Sequence, residues 1–177
     1  MTKTHATREP LQLSRPVAIV LSIFVILGCD QVTKIVARKV LAANTTSDYM
    51  GGALRIQLAE NTGAFLSIGA GMDEHWRLLA FTFAVAIFLA IATFALFRKK
   101  QMQPMMTAGL TLLIAGGLGN LIDRLVYGYV TDFLNVGIGS LRTGIFNVAD
   151  MAIMLGVGLL FFAGDGEGKK PHARKAK

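Results

Sequence analysis

The sequence predicts an all-α integral membrane protein: four transmembrane helices carrying a small extracytoplasmic β platform. Three observations predict it. Of 177 residues, 53% are hydrophobic and only 16% are charged, against about 25% charged in an average globular chain. Four segments approach the ~20 apolar residues needed to cross a ~30 Å hydrocarbon layer. The basic residues behind a net charge of +7 sit mostly in short clusters beside those segments, a membrane pattern rather than a nucleic-acid one. Eleven phenylalanines and eight methionines exceed what the core of one small soluble domain can hold. A single cysteine, Cys29, excludes an internal disulfide framework. His5, His75 and His172 lie outside every long apolar run, so zinc-finger readings fall away as well.

Taken in order, the first span is Pro16 to Cys29, which reaches full length by continuing through Asp30 and Gln31 towards Val36. The second is Leu78 to Phe97, an uncharged run of 20 closed by Arg98, Lys99 and Lys100. The third, Pro104 to Ile122, is uncharged over 19 residues and followed at once by Asp123 and Arg124. The fourth runs from Ile145 to Ala163, with Asn147 and Asp150 in its first turns. This divides the chain into an N-terminal tail (1–15), a transmembrane domain (16–163) and a basic tail (164–177), with outer loops at 38–76 and 125–144. Within those loops, Leu54-Arg-Ile-Gln-Leu58 alternates apolar and polar residues, the period of a half-buried strand. Tyr129 to Val136 is also strand-prone, with turn signals at Gly137 and Gly139. These two stretches form the expected β platform.

Orientation follows from Lys and Arg. The N-terminal tail, the loop between spans two and three and the C-terminal tail share one side and hold 11 of the 18 basic residues. The positive-inside rule makes that side cytoplasmic. Lys34, Arg38, Lys39 and Arg55 run against the bias. The topology brings four aspartates, Asp30, Asp123, Asp132 and Asp150, to one depth at the outer face. Ionisable residues at such depth are costly and raise a functional hypothesis. Asp30 lies one helical turn from Lys34, and Asp123 is near Asn120 and Arg124, so interfacial caps and salt bridges explain those two. Asp132 and Asp150 have no such basic neighbour in sequence. Asn147 and Asp150, at i and i+3, share one face of span four. Gly116, Gly117 and Gly119 let span three approach a partner closely. Two carboxylates in a semi-dry site cannot both ionise easily, so one pKa rises and the pair shares a proton. Such a pair can take a proton from water and give one to a leaving amine.

The sequence resembles the lipoprotein signal peptidases, also called signal peptidase II. The resemblance is carried by D-Q-V-T-K at Asp30–Lys34, E-N-T-G-A at Glu60–Ala64 and G-G-L-G-N-L-I-D-R at Gly116–Arg124, then V-T-D-F at Val130–Phe133 and F-N-V-A-D at Phe146–Asp150. They stand in the family's order and at its spacing, and the resemblance covers roughly residues 16 to 163. It implies a four-helix aspartyl endopeptidase of the bacterial inner membrane. Such an enzyme removes signal peptides from diacylglyceryl-modified prolipoproteins, cutting just before the lipidated cysteine. By position the resemblance makes Asp132 and Asp150 the catalytic pair, supported by Asp30, Lys34, Asn61, Gly63, Asn120, Asp123, Arg124 and Asn147. Arg124 is expected to contact substrate backbone or lipid head groups, or to pair with Asp123. One departure is that Phe65 directly follows Ala64, where the family usually has another small residue. The expected partners are lipid-modified prolipoproteins and membrane phospholipid, with no nucleic acid, no cofactor and no metal, and the protein is expected to act as a monomer.

Rival readings are weaker. Ile26-Leu-Gly-Cys29 after an apolar run looks like a lipobox, but cleavage there would remove most of span one. A transporter or proton relay is the main alternative, yet the inner halves of the spans offer almost no polar groups. Neither Ser67 nor Ser140 has a lysine at a telling spacing for Ser/Lys chemistry. A metal at Asp123, Asp132 and Asp150 would lack a histidine.

Overall fold

The computed structural model describes residues 13–42, 45–62 and 73–164, apart from the side chains of Glu74, His75 and Arg77. Gly63, Ser67, most of the N-terminal tail and nearly all of the basic tail lie outside the described residues. The elements are α1 (Arg15–Val40), β1 (Thr46–Tyr49), a single 3-10 turn (Met50–Gly52), β2 (Leu54–Asn61), α2 (Glu74–Arg98), α3 (Pro104–Tyr127), β3 (Val130–Ile138), β4 (Leu141–Arg142) and α4 (Val148–Gly164). The strands form one antiparallel sheet in the order β1-β2-β3-β4.

Proline opens α1 and α3, where its missing N–H costs nothing and its fixed φ suits the first turn. Gly128 ends α3 with φ +79, donating its N–H to the Arg124 carbonyl, a left-handed cap that turns the chain into β3. Both α1 and α3 run further than their apolar stretches. Asp30, Lys34 and Ala37 recur at helical spacing on one buried face, so α1 passes through its charges without a break. Helix α3 likewise carries Asp123 and Arg124 inside its last turns. Helix α4 differs the other way: it begins at Val148, so Asn147 precedes the helix and Asp150 falls in its first turn. Strand β3 extends two residues beyond Val136, putting the turn at Gly139 rather than Gly137.

Three helices, α1, α2 from Leu78 and α3, are long and apolar enough to cross a membrane; α4, with 17 residues, is shorter. Their outer surfaces are apolar. Phe24, Phe83, Phe94, Met154 and Phe161 are each more than 60% exposed, a belt that only a hydrocarbon environment makes inexpensive. Helix α3 is the hub and packs on the other three. A Cβ on Gly116 would collide with the Ala149 carbonyl oxygen, and one on Gly109 would lie 2.9 Å from that of Gly156. These small residues set α3 and α4 antiparallel and in close contact. Gly117 instead faces Leu89 of α2.

One end of the bundle is closed by Arg15. Its guanidinium donates to the carbonyls of Lys99 (2.8 Å), Lys100 (3.2 Å) and Leu96 (3.3 Å), and to Thr107 Oγ1 (3.3 Å). The Leu96 carbonyl, in the last turn of α2, and the two carbonyls just beyond the helix thereby gain donors. Above this cap Ile19, Ala92, Leu96 and Ile114 form the apolar core. The sheet and nearly all the buried charge lie at the opposite end.

Candidate active site

Three fully buried charges anchor that end. Lys34 Nζ lies 2.9 Å from Asp30 Oδ2 and 3.4 Å from Asp123 Oδ2, all three side chains having no solvent exposure. Buried ions are tolerated only when paired and hydrogen-bonded, and each of these has further partners. Asp30 Oδ1 accepts the Ala149 N–H at 2.9 Å, so α1 caps the N-terminus of α4. A Cβ on Gly119 would collide with Asp30 Oδ2, which explains the third glycine of that run. Asp123 Oδ2 accepts the Thr131 N–H at 2.9 Å, while Arg38 Nη1 donates to Thr131 Oγ1 at 2.6 Å. Thr131 is held at both ends, which fixes its neighbour Asp132. Within 4 Å the ion pairs of Asp123 are to Lys34 and Arg38 rather than to the adjacent Arg124.

At the start of α4, Asn147 Oδ1 accepts the Asp150 N–H (3.0 Å) and Asp150 Oδ2 accepts the Asn147 N–H (3.1 Å). This is a reciprocal capping box, and it is why the helix starts at Val148. The cap also places chemistry. Asn147 Nδ2 donates to Asp132 Oδ1 at 2.6 Å, and Asn120 Nδ2 donates to Asp150 Oδ1 at 2.7 Å. Asn147 Nδ2 also reaches Asn120 Oδ1 at 3.1 Å and the Thr131 carbonyl at 3.3 Å. Asn61, at the end of β2, completes Asp132 by donating to its Oδ2 at 3.0 Å. The two carboxylates from different elements are therefore joined through two amides.

Their settings differ. Asp132 is 2% exposed on β3. Burial raises its pKa from 3.8 to about 6, with the charge of Asp150 adding to the rise and the Asn61 and Asn147 hydrogen bonds opposing it. Asp150 is only half-buried and lies at the positive end of a helix, where negative charge is favoured. Arg124 donates at 3.4 Å to the Asn120 carbonyl, and its Nε is buried without a hydrogen-bond partner.

The structure thus brings Asp30, Lys34, Asn61, Asn120, Asp123, Asp132, Asn147 and Asp150 into one connected network, with Arg124 beside it. Gly63 lies outside the described residues. Sequence reasoning missed Arg38, which braces Asp123 and Thr131 and stacks 4.3 Å from the ring centroid of Tyr127. Its signal was present: it was one of the cations opposing the charge bias. Arg142 proves structural, donating to Asn135 and to the Gly52 carbonyl.

Known proteins share this chain's sequence pattern and fold. The profile of the family described as Signal peptidase (SPase) II matches residues 22–164. A lipoprotein signal peptidase of Coxiella burnetii (strain Dugway 5J108-111) is 41% identical over 143 residues, covering 79% of this chain and 84% of that one. One from Paraburkholderia phymatum is 37% identical over 138 residues, covering 78% and 81%. A solved bacterial membrane enzyme, studied by the in meso method, superposes with a TM-score of 0.77 at 28% identity, covering 96% of this chain and all of that one. Matching motifs, matching fold and a family profile across most of the sequence lead to one conclusion: this chain belongs to the signal peptidase II family.

Proposed function

We propose that the protein removes signal peptides from diacylglyceryl-modified prolipoproteins, cutting before the lipidated cysteine with Asp132 and Asp150 as the catalytic pair. The observation that carries this reading is the pair of asparagines, one amide donating to each carboxylate. Asp132, raised to about 6 chiefly by burial, holds the shared proton. Asp150, in the first turn of α4, takes a proton from water as the water oxygen attacks the scissile carbonyl carbon. Asp132 gives its proton to the carbonyl oxygen. Collapse of the resulting diol breaks the C–N bond: Asp150 gives the proton it took from water to the amine of the leaving cysteine, and a diol hydroxyl returns its proton to Asp132 as the new carboxyl group forms. The pair thus ends as it began.

The asymmetric ends support an orientation. Four crossings, with α4 as the short fourth, put the Arg15 end and the Arg98–Lys100 loop in the cytoplasm and the sheet and site at the outer face of the bacterial inner membrane. Peptide bonds reach the site at the depth where a lipid-anchored cysteine sits. The working unit in this reading is the monomer, served by phospholipid around it and by no cofactor.

Reconstituted membranes given a diacylglyceryl-modified prolipoprotein test the reaction. Mass spectrometry should find a new N-terminus at the lipidated cysteine, formed equally well in EDTA. A cut elsewhere, or loss in EDTA restored by metal, would overturn the reading.

A further inference from the structure

Lys34 is a wholly buried cation with three polar contacts: ion pairs to Asp30 Oδ2 at 2.9 Å and Asp123 Oδ2 at 3.4 Å, and a hydrogen bond donated to Asn120 Oδ1 at 2.8 Å. Neutralising two buried carboxylates accounts for two of them. The third goes to a neutral amide, and that contact has a chemical consequence. A side-chain amide has an acceptor end and a donor end, whereas an ammonium group only donates. With Oδ1 held by Lys34, the Nδ2 of Asn120 must point the other way, where it donates to Asp150 Oδ1 at 2.7 Å. Reversing the amide would set NH2 against ammonium and carbonyl against carboxylate.

The same oxygen also sets the second amide. Asn120 Oδ1 accepts from Asn147 Nδ2 at 3.1 Å, and that nitrogen donates to Asp132 Oδ1 at 2.6 Å. Asn147 Oδ1 accepts the Asp150 N–H. We propose that Lys34 is a positioning residue of the peptidase: by locking the polarity of the Asn120 amide it presents one N–H donor to each carboxylate of the pair. The inference rests on the catalytic reading of Asp132 and Asp150 given above. It separates Lys34 from a charge that only holds helices together, because a charge alone has no preference for which end of Asn120 faces Asp150.

Two sets of variants in reconstituted membranes test it, read as kcat, KM and thermal unfolding of the purified protein. Lys34→Gln and Lys34→Met both remove the charge, but only glutamine retains an N–H to offer Asn120 Oδ1. Lys34→Gln should keep kcat at least about tenfold above Lys34→Met, with similar KM and similar unfolding temperature. Asn120→Asp keeps an acceptor for Lys34 and gives Asp150 no donor. Its folded fraction should lose at least about tenfold in kcat. Equal kcat for the two Lys34 variants, or full kcat in Asn120→Asp, would overturn the proposal. If Lys34→Met fails to fold, the Asn120→Asp measurement decides. Failure of the underlying catalytic reading looks different: Asp150→Asn would then retain turnover.

Discussion

Helix α1 carries a cation towards each end of its buried face, and the two do opposite work. Arg15 spends its guanidinium on the main-chain carbonyls of Leu96, Lys99 and Lys100 and on a threonine hydroxyl. Every partner is neutral, and the result is a capped helix end. Lys34 spends its ammonium on Asp30, Asp123 and Asn120, groups that in turn hold the start of α4, the start of β3 and Asp150. The difference teaches how one bundle separates stability from chemistry. At the Arg15 end a cation completes the backbone; at the Lys34 end it organises side chains around the proposed catalytic pair.

The comparison breaks first at Lys34. Removing it as Lys34→Met leaves Asp30 and Asp123 buried with one cation fewer, and breaking a buried pair costs about 3–5 kcal/mol. A large fall in the unfolding temperature of the detergent-solubilised protein should follow, with activity lost alongside. Arg15→Met should be milder. It leaves backbone carbonyls without charged donors, a loss of about 1–3 kcal/mol, and the folded fraction should retain its kcat and KM. A specific loss of kcat in Arg15→Met would erase the contrast.

Asp132 sharpens the comparison by pH. Its folded pKa, raised from 3.8 to about 6, means that the folded protein binds the proton more tightly than the unfolded chain does. Stability from this group is therefore greatest below about 4, falls as pH rises through about 6, and stays reduced above that. Asp132→Asn removes the titration. Between pH 4 and pH 7 its stability relative to the unaltered protein should improve, by on the order of 2–3 kcal/mol at about 1.4 kcal/mol per pKa unit. Parallel pH-dependent melts of the two proteins check it. The smallest effect belongs to Asp48, paired with Arg55 at 2.9 Å across β1 and β2 and half exposed. Such surface pairs contribute about 0–1 kcal/mol, so Asp48→Asn should change neither melting nor cleavage appreciably.

Much of this was legible from the residues. The helices and the two main strands follow from hydrophobic length and from the alternation of Leu54 to Leu58. The grouping of Asp30, Asp123, Asp132 and Asp150 at one end follows from placing them on the spans. What was not legible lay in hydrogen bonds that no periodicity encodes. Asn147 looked like a first-turn residue sharing a face with Asp150, but its side chain closes the helix from outside. The Asn-x-x-Asp spacing was a capping signal overlooked for that reason. Asp30 and Asp123 were read as caps and local ion pairs: Asp30 does pair with Lys34 one turn away, whereas Asp123 pairs with Lys34 and Arg38 rather than with Arg124, and each also grips a distant backbone N–H. Arg15 was counted only as a topology charge, because its value depends on where α2 ends in space. Arg38 looked like an exception to charge bias, though burial against Thr131 and Tyr127 gives it a structural reason.

The central claim is that Asp132 and Asp150 work as one proton-sharing pair. Single-turnover cleavage of a diacylglyceryl-modified prolipoprotein by Asp132→Asn and by Asp150→Asn, each reconstituted and shown to be folded, tests it most directly. Asparagine keeps size and polarity but cannot exchange a proton as a carboxylate does. General acid–base catalysis contributes about 10²–10⁴-fold, so each variant should lose at least that factor in rate, with substrate binding retained. Substantial cleavage by either variant would contradict the account.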